Sequence, residues 1–96
     1  MTPMIRSFRD TETERLFRRE RGSKLARPLQ RAAKRKLLLL DAAESLDDLR
    51  VPPGTRLEKL AGDREGQHSI RVNDQYRGCF RWDGGEAQDV EIVDYH

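Results

Sequence analysis

HSIRVNDQYRGCFRW, residues 68–82, alternates apolar and polar side chains on either side of Asn73 and Asp74. In an extended chain successive side chains point to opposite faces, so residues two apart share one. Ile70 and Val72 therefore belong to one face, and Ser69 and Arg71 to the other. Past the turn, Tyr76, Phe80 and Trp82 form an apolar set, and Arg77, Cys79 and Arg81 form the alternate set. The stretch predicts two antiparallel strands joined by a two-residue turn at Asn73 and Asp74. One face of that hairpin carries Arg71, Arg77 and Arg81.

Outward from the hairpin, the period of two persists in the C-terminal half. "DGGE" at 83–86 is a turn, and "AQDVEIVDYH" at 87–96 is a last strand with Val90 and Ile92 as its core residues. Asp89, Glu91, Val93 and Tyr95 then fall opposite, and Asp94 and His96 alternate with Tyr95 unless a bulge intervenes. Upstream, "GDREG" at 62–66 is turn-rich and "RLEKL" at 56–60 alternates. The pattern leaves two readings of the arginine face open: cross-strand ion pairs on a solvated sheet, or a concave basic surface for RNA.

The first half has the period of a helix. Leu29, Ala33, Leu37 and Leu40 recur at helical spacing, and Ala32, Leu39, Ala43 and Leu46 widen the stripe to about residue 46. Pro28 suits the first helical turn, Arg31 to Lys36 occupy much of the opposite face, and Pro52, Pro53 and Gly54 end the helical half. A shorter helix opens at Thr11, where Thr11 and Glu14 form a capping-box pattern, is anchored by Leu16 and Phe17, and stops at Gly22. "MIRSF" at 4–8 alternates as a short first strand. The order of one strand, two helices and four strands predicts an α+β fold. In it, two N-terminal helices pack on one face of a small, mostly antiparallel sheet, as a single domain over residues 1–96.

Ninety-six residues suit one modest core. The formal charge of +2 conceals an asymmetry: residues 1–39 hold 12 Lys and Arg against 4 Asp and Glu, whereas residues 40–96 hold 7 against 13. The basic half would attract phosphate or an acidic protein partner. Cys79 is the only cysteine, and with His68 and His96 it makes no zinc-ligand spacing, so metal-free chemistry is expected. The longest apolar run, Leu37 to Leu40, is far too short to cross a bilayer, and the start lacks the apolar stretch of a signal peptide. A soluble cytoplasmic protein with no membrane partner is the expectation.

Two long words, "RLEKLAGDREGQHSIRVNDQYRGCF" at 56–80 and "DVEIVDYH" at 89–96, closely resemble the HigB-type toxins of the RelE superfamily, the plasmid maintenance system killer proteins. The likeness also takes in the "MIRSF" opening and the "LDAAESLDDLRVPPG" bridge, and so runs over nearly the whole chain. It implies a RelE-like fold, with helices packed on a small curved sheet whose exposed face takes RNA. It implies a ribosome-dependent, metal-independent endoribonuclease that needs no cofactor and cuts messenger RNA in the decoding site. The implied partner is a HigA-type helix-turn-helix antitoxin, through which alone the toxin reaches operator DNA.

The resemblance carries over to matching residues only. Arg77 in "DQYRGCF" stands where the family has its phosphate-binding arginine, and Asp94, Tyr95 and His96 match the terminal catalytic cluster. Arg71, Arg81 and Lys59 are candidate RNA contacts. Three positions depart from the pattern: Glu58 stands where some relatives have His, Ala61 where they have Lys, and Gly78 where they tend to have an apolar residue. Glu58 is accordingly a backup general base. The departures also imply an alternative, a catalytically weakened homologue that binds its antitoxin and acts as a transcription co-repressor.

RNA can be cut without a metal because its 2′-hydroxyl attacks the adjacent phosphate. The protein must then remove that proton, stabilise charge on phosphorus, and protonate the departing 5′-oxygen. A guanidinium suits the second task, since it stays charged and can donate two parallel hydrogen bonds. An imidazole, with an ordinary pKa near ~6.5, suits proton exchange, whereas a phenol near ~10 needs nearby cations to act as a base. His96 is thus expected as acid or base, with Tyr95 as its partner or a stacking group and Asp94 as an orienter. His68, Cys79 and Trp82 are expected to be packing residues.

Overall fold

The computed structural model describes residues 5–18, 27–50 and 54–94. They form helices α1 (Thr11–Phe17) and α2 (Arg27–Ala42) and strands β1 (Glu58–Lys59), β2 (Gln67–Arg71), β3 (Tyr76–Asp83) and β4 (Glu86–Asp94). All neighbouring strands pair antiparallel, in the order β1-β2-β3-β4. This is the expected α+β arrangement of two helices on an open antiparallel sheet.

The helices form where the apolar spacing predicts, and their ends follow hydrogen bonds that the pattern does not reveal. Asp10, in extended backbone, caps α1 by accepting from the Thr13 N–H at 3.2 Å, so the cap lies one residue before Thr11. In α2, Leu29, Ala33, Leu37 and Leu40 are buried along one stripe, and Pro28 sits in the first turn. The helix ends at Ala42 rather than near residue 46. Asp48 accepts from the N–H groups of Glu44 and Ser45 at 2.9 and 3.2 Å and thereby starts a separate 3-10 turn, Leu46–Leu49. The predicted stop at Gly22 and the Pro52–Pro53 break lie outside the described residues.

The expected first strand is reduced to two isolated parallel bridges, Ile5 to Ala87 and Phe8 to Val90. β4 carries an extra residue between its pairings with Cys79 and Arg81, and Asp89 there has φ +52. The irregular strand can offer only intermittent partners: Ser7 accepts the Val90 N–H on its carbonyl at 3.1 Å and the Asp89 N–H on Oγ at 3.0 Å. Asp41 on α2 accepts the Ile5 N–H at 3.1 Å and fastens this segment to the helical layer.

"RLEKL" yields strand only at Glu58–Lys59, because Arg56 has a left-handed backbone with φ +46 that cannot extend the ladder. The β2–β3 connection is longer than the two residues expected. Asn73 Oδ1 accepts from the N–H groups of both Gln75 and Tyr76, an Asx-type turn that spreads over residues 73–75. The β3–β4 turn is the tight one. Gly84 and Gly85 both have positive φ, +59 and +80, as a two-residue hairpin of mirror-image type requires.

Between sheet and helices lies one core of Leu16, Leu37, Leu40, Leu49, Ile70, Phe80 and Val90. His68 packs there too, its ring stacked on Phe80 with centroids 6.1 Å apart, and Trp82 meets Phe80 edge-on at 6.4 Å. Gly78 lies in one cross-strand row between Ile70 and Ile92, where an added Cβ would make ordinary contacts. Space alone therefore does not demand glycine there.

Candidate active site

The register of the sheet decides which side chains can meet. Arg71 pairs with Arg77, and Arg77 with Val93; the next row on the same face is Glu58, Ser69, Cys79 and Glu91. This face is the one turned away from Phe80 and Ile70. Although no helix among the described residues covers it, Ser69 and Cys79 are fully buried beneath the longer side chains of neighbouring rows.

Arg77 is the centre of this face. Its Nε donates to Ser69 Oγ at 2.7 Å, its Nη2 donates to the Arg56 carbonyl at 2.7 Å, and Glu58 Oε2 stands 3.7 Å from the same nitrogen. The side chain is only 11% exposed, whereas that of Glu58 is 56% exposed. The strained φ of Arg56 thus aims a carbonyl at the guanidinium, the kind of backbone distortion that tertiary structure sustains at functional positions. A guanidinium held through two of its nitrogens keeps a fixed plane, as bidentate phosphate recognition needs.

One end of this face is buttressed by Glu91. It pairs with Arg64 at 2.7 Å and with Arg9 at 3.8 Å, and Arg64 also donates to Gln67 Oε1 at 3.1 Å. The 3-10 turn Gly62–Arg64 is thereby tied to β4. Burial pushes the Cys79 thiol above the ordinary thiol range; Arg64 and Arg77 pull against that shift and Glu91 adds to it. A neutral thiol filling the floor is what results.

The other candidates are placed less uniformly. Arg71 pairs with Asp74 beside Arg77, as the alternation predicts. Arg81 shares the face but lies four residues along β3, roughly 13 Å away; it is 47% exposed and stands 3.7 Å from Asp89. Lys59 is opposite His68 in the register, in the phase of the helix-covered face, so the structure does not bring it to Arg77. Asp94 pairs with Tyr76 and accepts from Gln75 Nε2 at 2.9 Å, one residue out of phase with Arg77. Tyr95 and His96 lie outside the described residues. The strand leading to them is the direct neighbour of Arg77 through Val93.

Sequence reasoning missed Ser69 and Arg56 as the anchors of Arg77, and Arg64 with Glu91 as the buttress. Only Ser69 was recoverable, since it shares the parity of Arg71 next to the arginine strand. His68 Nδ1 is buried without a hydrogen-bond partner. Burial holds its imidazole below the usual histidine range, and the charges of Lys59 and Arg50 add to the effect. Among the described residues no group of His, Cys, Asp or Glu is gathered to hold a metal ion, and no helix is long and apolar enough to cross a membrane.

An open antiparallel sheet with two helices on one face and an anchored arginine on the other defines a RelE-like architecture, and comparison with known proteins agrees. The family model described as "RelE-like toxin of type II toxin-antitoxin system HigB" matches residues 6–96. The chain therefore belongs to the HigB-like toxin family, and an antitoxin is its family-implied partner. It is similar to Toxin HigB-1 of Vibrio cholerae, at 42% identity over 88% of this chain and 90% of that protein. It is also similar to Endoribonuclease HigB of Proteus vulgaris, at 33% identity over 97% of this chain and 100% of that one. An uncharacterized protein of Haemophilus influenzae is 34% identical over 88% and 85% of the two chains.

Proposed function

We propose that this toxin is a metal-independent endoribonuclease that cuts messenger RNA in the ribosomal decoding site, and that a HigA-type antitoxin holds it inactive and carries it to operator DNA. The observation that carries the reading is Arg77: a guanidinium anchored by Ser69 and Arg56 on the sheet face turned away from α2, with the Glu58 carboxylate 3.7 Å away. The similarity to a protein named an endoribonuclease supports the reaction class.

In this reading Arg77 binds the scissile phosphate and stabilises the charge that builds on it as the 2′-oxygen attacks. The phosphate displaces Glu58 from its loose pairing, which leaves that carboxylate beside the reacting group as a proton acceptor in reserve. Between them His96 and Tyr95 take the 2′-hydroxyl proton and return a proton to the departing 5′-oxygen, and Asp94 orients one of the two. RNA provides its own nucleophile, so the sequence of proton transfers asks nothing of a metal.

The test is single-turnover cleavage on programmed ribosomes with Tyr95→Phe and His96→Gln combined. Loss of about 10²-fold or more is expected for removing acid–base groups. Cutting at the wild-type rate would overturn the assignment of the terminal residues. A wild-type protein that binds antitoxin but leaves message intact would overturn the nuclease reading in favour of a co-repressor module.

A further inference from the structure

Thr55 and Arg56 precede β1 at the edge of the sheet, and β2, α2 and β3 each hold them by a hydrogen bond. The Thr55 carbonyl accepts the Arg71 backbone N–H at 2.7 Å, Thr55 Oγ1 accepts from Lys36 Nζ at 3.4 Å, and the Arg56 carbonyl accepts from Arg77 Nη2 at 2.7 Å. Arg71 takes part through its main chain alone, since its guanidinium pairs with Asp74. Thr55 is fully buried, and Lys36 is half-buried on α2. Among the described residues, the Thr55 hydroxyl and the Lys36 ammonium are each other's one polar partner. A line of contacts therefore runs from the helical layer, around the sheet edge, to the guanidinium on the opposite face.

The segment needs holding. Thr55 is flanked by left-handed backbone on both sides, Gly54 with φ +81 and Arg56 with φ +46. Glycine adopts that conformation freely, whereas the Cβ of an arginine is crowded there. Left unsupported, Arg56 would relax to another backbone region, and its carbonyl would swing away from Arg77. The Arg71 N–H fixes one point of the segment, and the Lys36 contact supplies a second, which together define an orientation. Without Lys36 a buried hydroxyl loses its partner, and the segment gains a reason to turn toward water. Arg77 would then be held by Ser69 through Nε, about which its plane can pivot.

We infer that Lys36 is a positioning residue for Arg77: from the helical layer it holds Thr55 so that the Arg56 carbonyl meets the guanidinium across the sheet edge. Lys36 touches neither RNA nor the reacting atoms and acts only through the orientation of Arg77. The inference rests on the nuclease reading for its effect on the rate of cutting, whereas the orientation it describes belongs to the free protein. A guanidinium that recognises phosphate through two parallel hydrogen bonds is sensitive to its plane, so the loss of one anchor is felt in the rate.

The test removes the contact from either side, with Lys36→Met and Thr55→Val, in the full chain. Single-turnover cleavage on programmed ribosomes should fall about tenfold in each, a fraction of the ~10²-fold that a displacement of about 1 Å costs. The double variant should lose no more than either single one, and Thr55→Ser, which keeps the hydroxyl, should recover most of the loss. With Arg77 already replaced by Ala, Lys36→Met should change nothing further, because residues that act through one another are not additive. Wild-type rates in both single variants overturn the inference, as do losses that multiply in the double variant or persist undiminished in the Arg77→Ala protein. A second readout needs no cleavage: the NMR signal of the Arg77 Nε–H, identified by its absence in Arg77→Ala, should shift and exchange with water faster in Lys36→Met. An unmoved signal overturns the inference whatever the cleavage rates. A moved signal in a protein whose wild type leaves message intact would support the positioning role and sink the nuclease reading instead.

Discussion

The two faces of the sheet are both buried at their centres, by different means. On one, Phe80, Ile70 and Val90 are covered by α2 and exclude water with apolar area alone. On the other, Ser69 and Cys79 are equally inaccessible, yet their cover is Arg77, Arg64 and Glu91, which are held by hydrogen bonds and ion pairs. Apolar packing is non-directional and tolerates some rearrangement, whereas each polar contact on the second face dictates the orientation of a charge. The first face supports the structure; the second positions a guanidinium. Burial by itself therefore does not tell a core from a site, and the chemistry of what does the covering does.

The largest effect should come from attacking the apolar face. Phe80→Ala is expected to cost about 3–5 kcal/mol in denaturant unfolding, by lost burial and a residual cavity under α2. For a domain of this size that is a large share of the total stability. A loss under ~1 kcal/mol would show that the helix-covered face is not the principal core.

Next in size is the contrast within one strand between Arg77 and Arg81. Arg77→Ala should reduce single-turnover cleavage about 10²–10³-fold, the scale of removing one preorganised donor from a reaction centre, in a protein that still unfolds cooperatively but at a lower temperature, because Ser69 Oγ and the Arg56 carbonyl lose their partner. Arg81→Ala removes a half-exposed side chain paired loosely with Asp89, and should change cleavage by less than about fivefold. Equal losses would mean that the face as a whole, and not the anchoring by Ser69 and Arg56, matters.

The smallest effect concerns pH. The unfolded chain protonates His68 near ~6.5, whereas burial keeps the folded imidazole neutral to lower pH. The unfolded state thus binds more protons in that window, and stability falls as pH is lowered from about 7 through it. Replacing His68 with Phe should shrink the drop in melting temperature between pH 7.5 and 5.5 relative to wild type. An identical drop in both proteins would remove His68 as its source.

Much of the fold is legible because short-range rules govern it. A period near 3.6 over Leu29 to Leu40 and a period of two over His68 to Trp82 specify which faces are apolar, and "DGGE" has the backbone freedom its turn needs. The terminal cluster and Arg77 were picked out by their resemblance to HigB-type toxins, not by periodicity. Lys59, a candidate RNA contact from the sequence, shows what alternation within one segment does not decide: its face is set by pairing to His68, out of phase with the row of Arg77. Lys36 was assigned to a solvated helix face, since helical spacing cannot say that a loop 19 residues further on folds back over it.

By itself, the sequence determined the α+β class, the hairpin of β2 and β3, the apolar stripe of α2 and the shared parity of Arg71, Arg77 and Arg81, because each depends on the local geometry of one chain segment. Only the tertiary structure decided that Ser69 and Arg56 hold Arg77, that Glu58 rather than Lys59 faces it, and that Thr55 Oγ1 accepts from Lys36. Those contacts join residues 8 to 21 positions apart, and their partners are chosen by strand register and by one strained residue, neither of which a periodic pattern encodes.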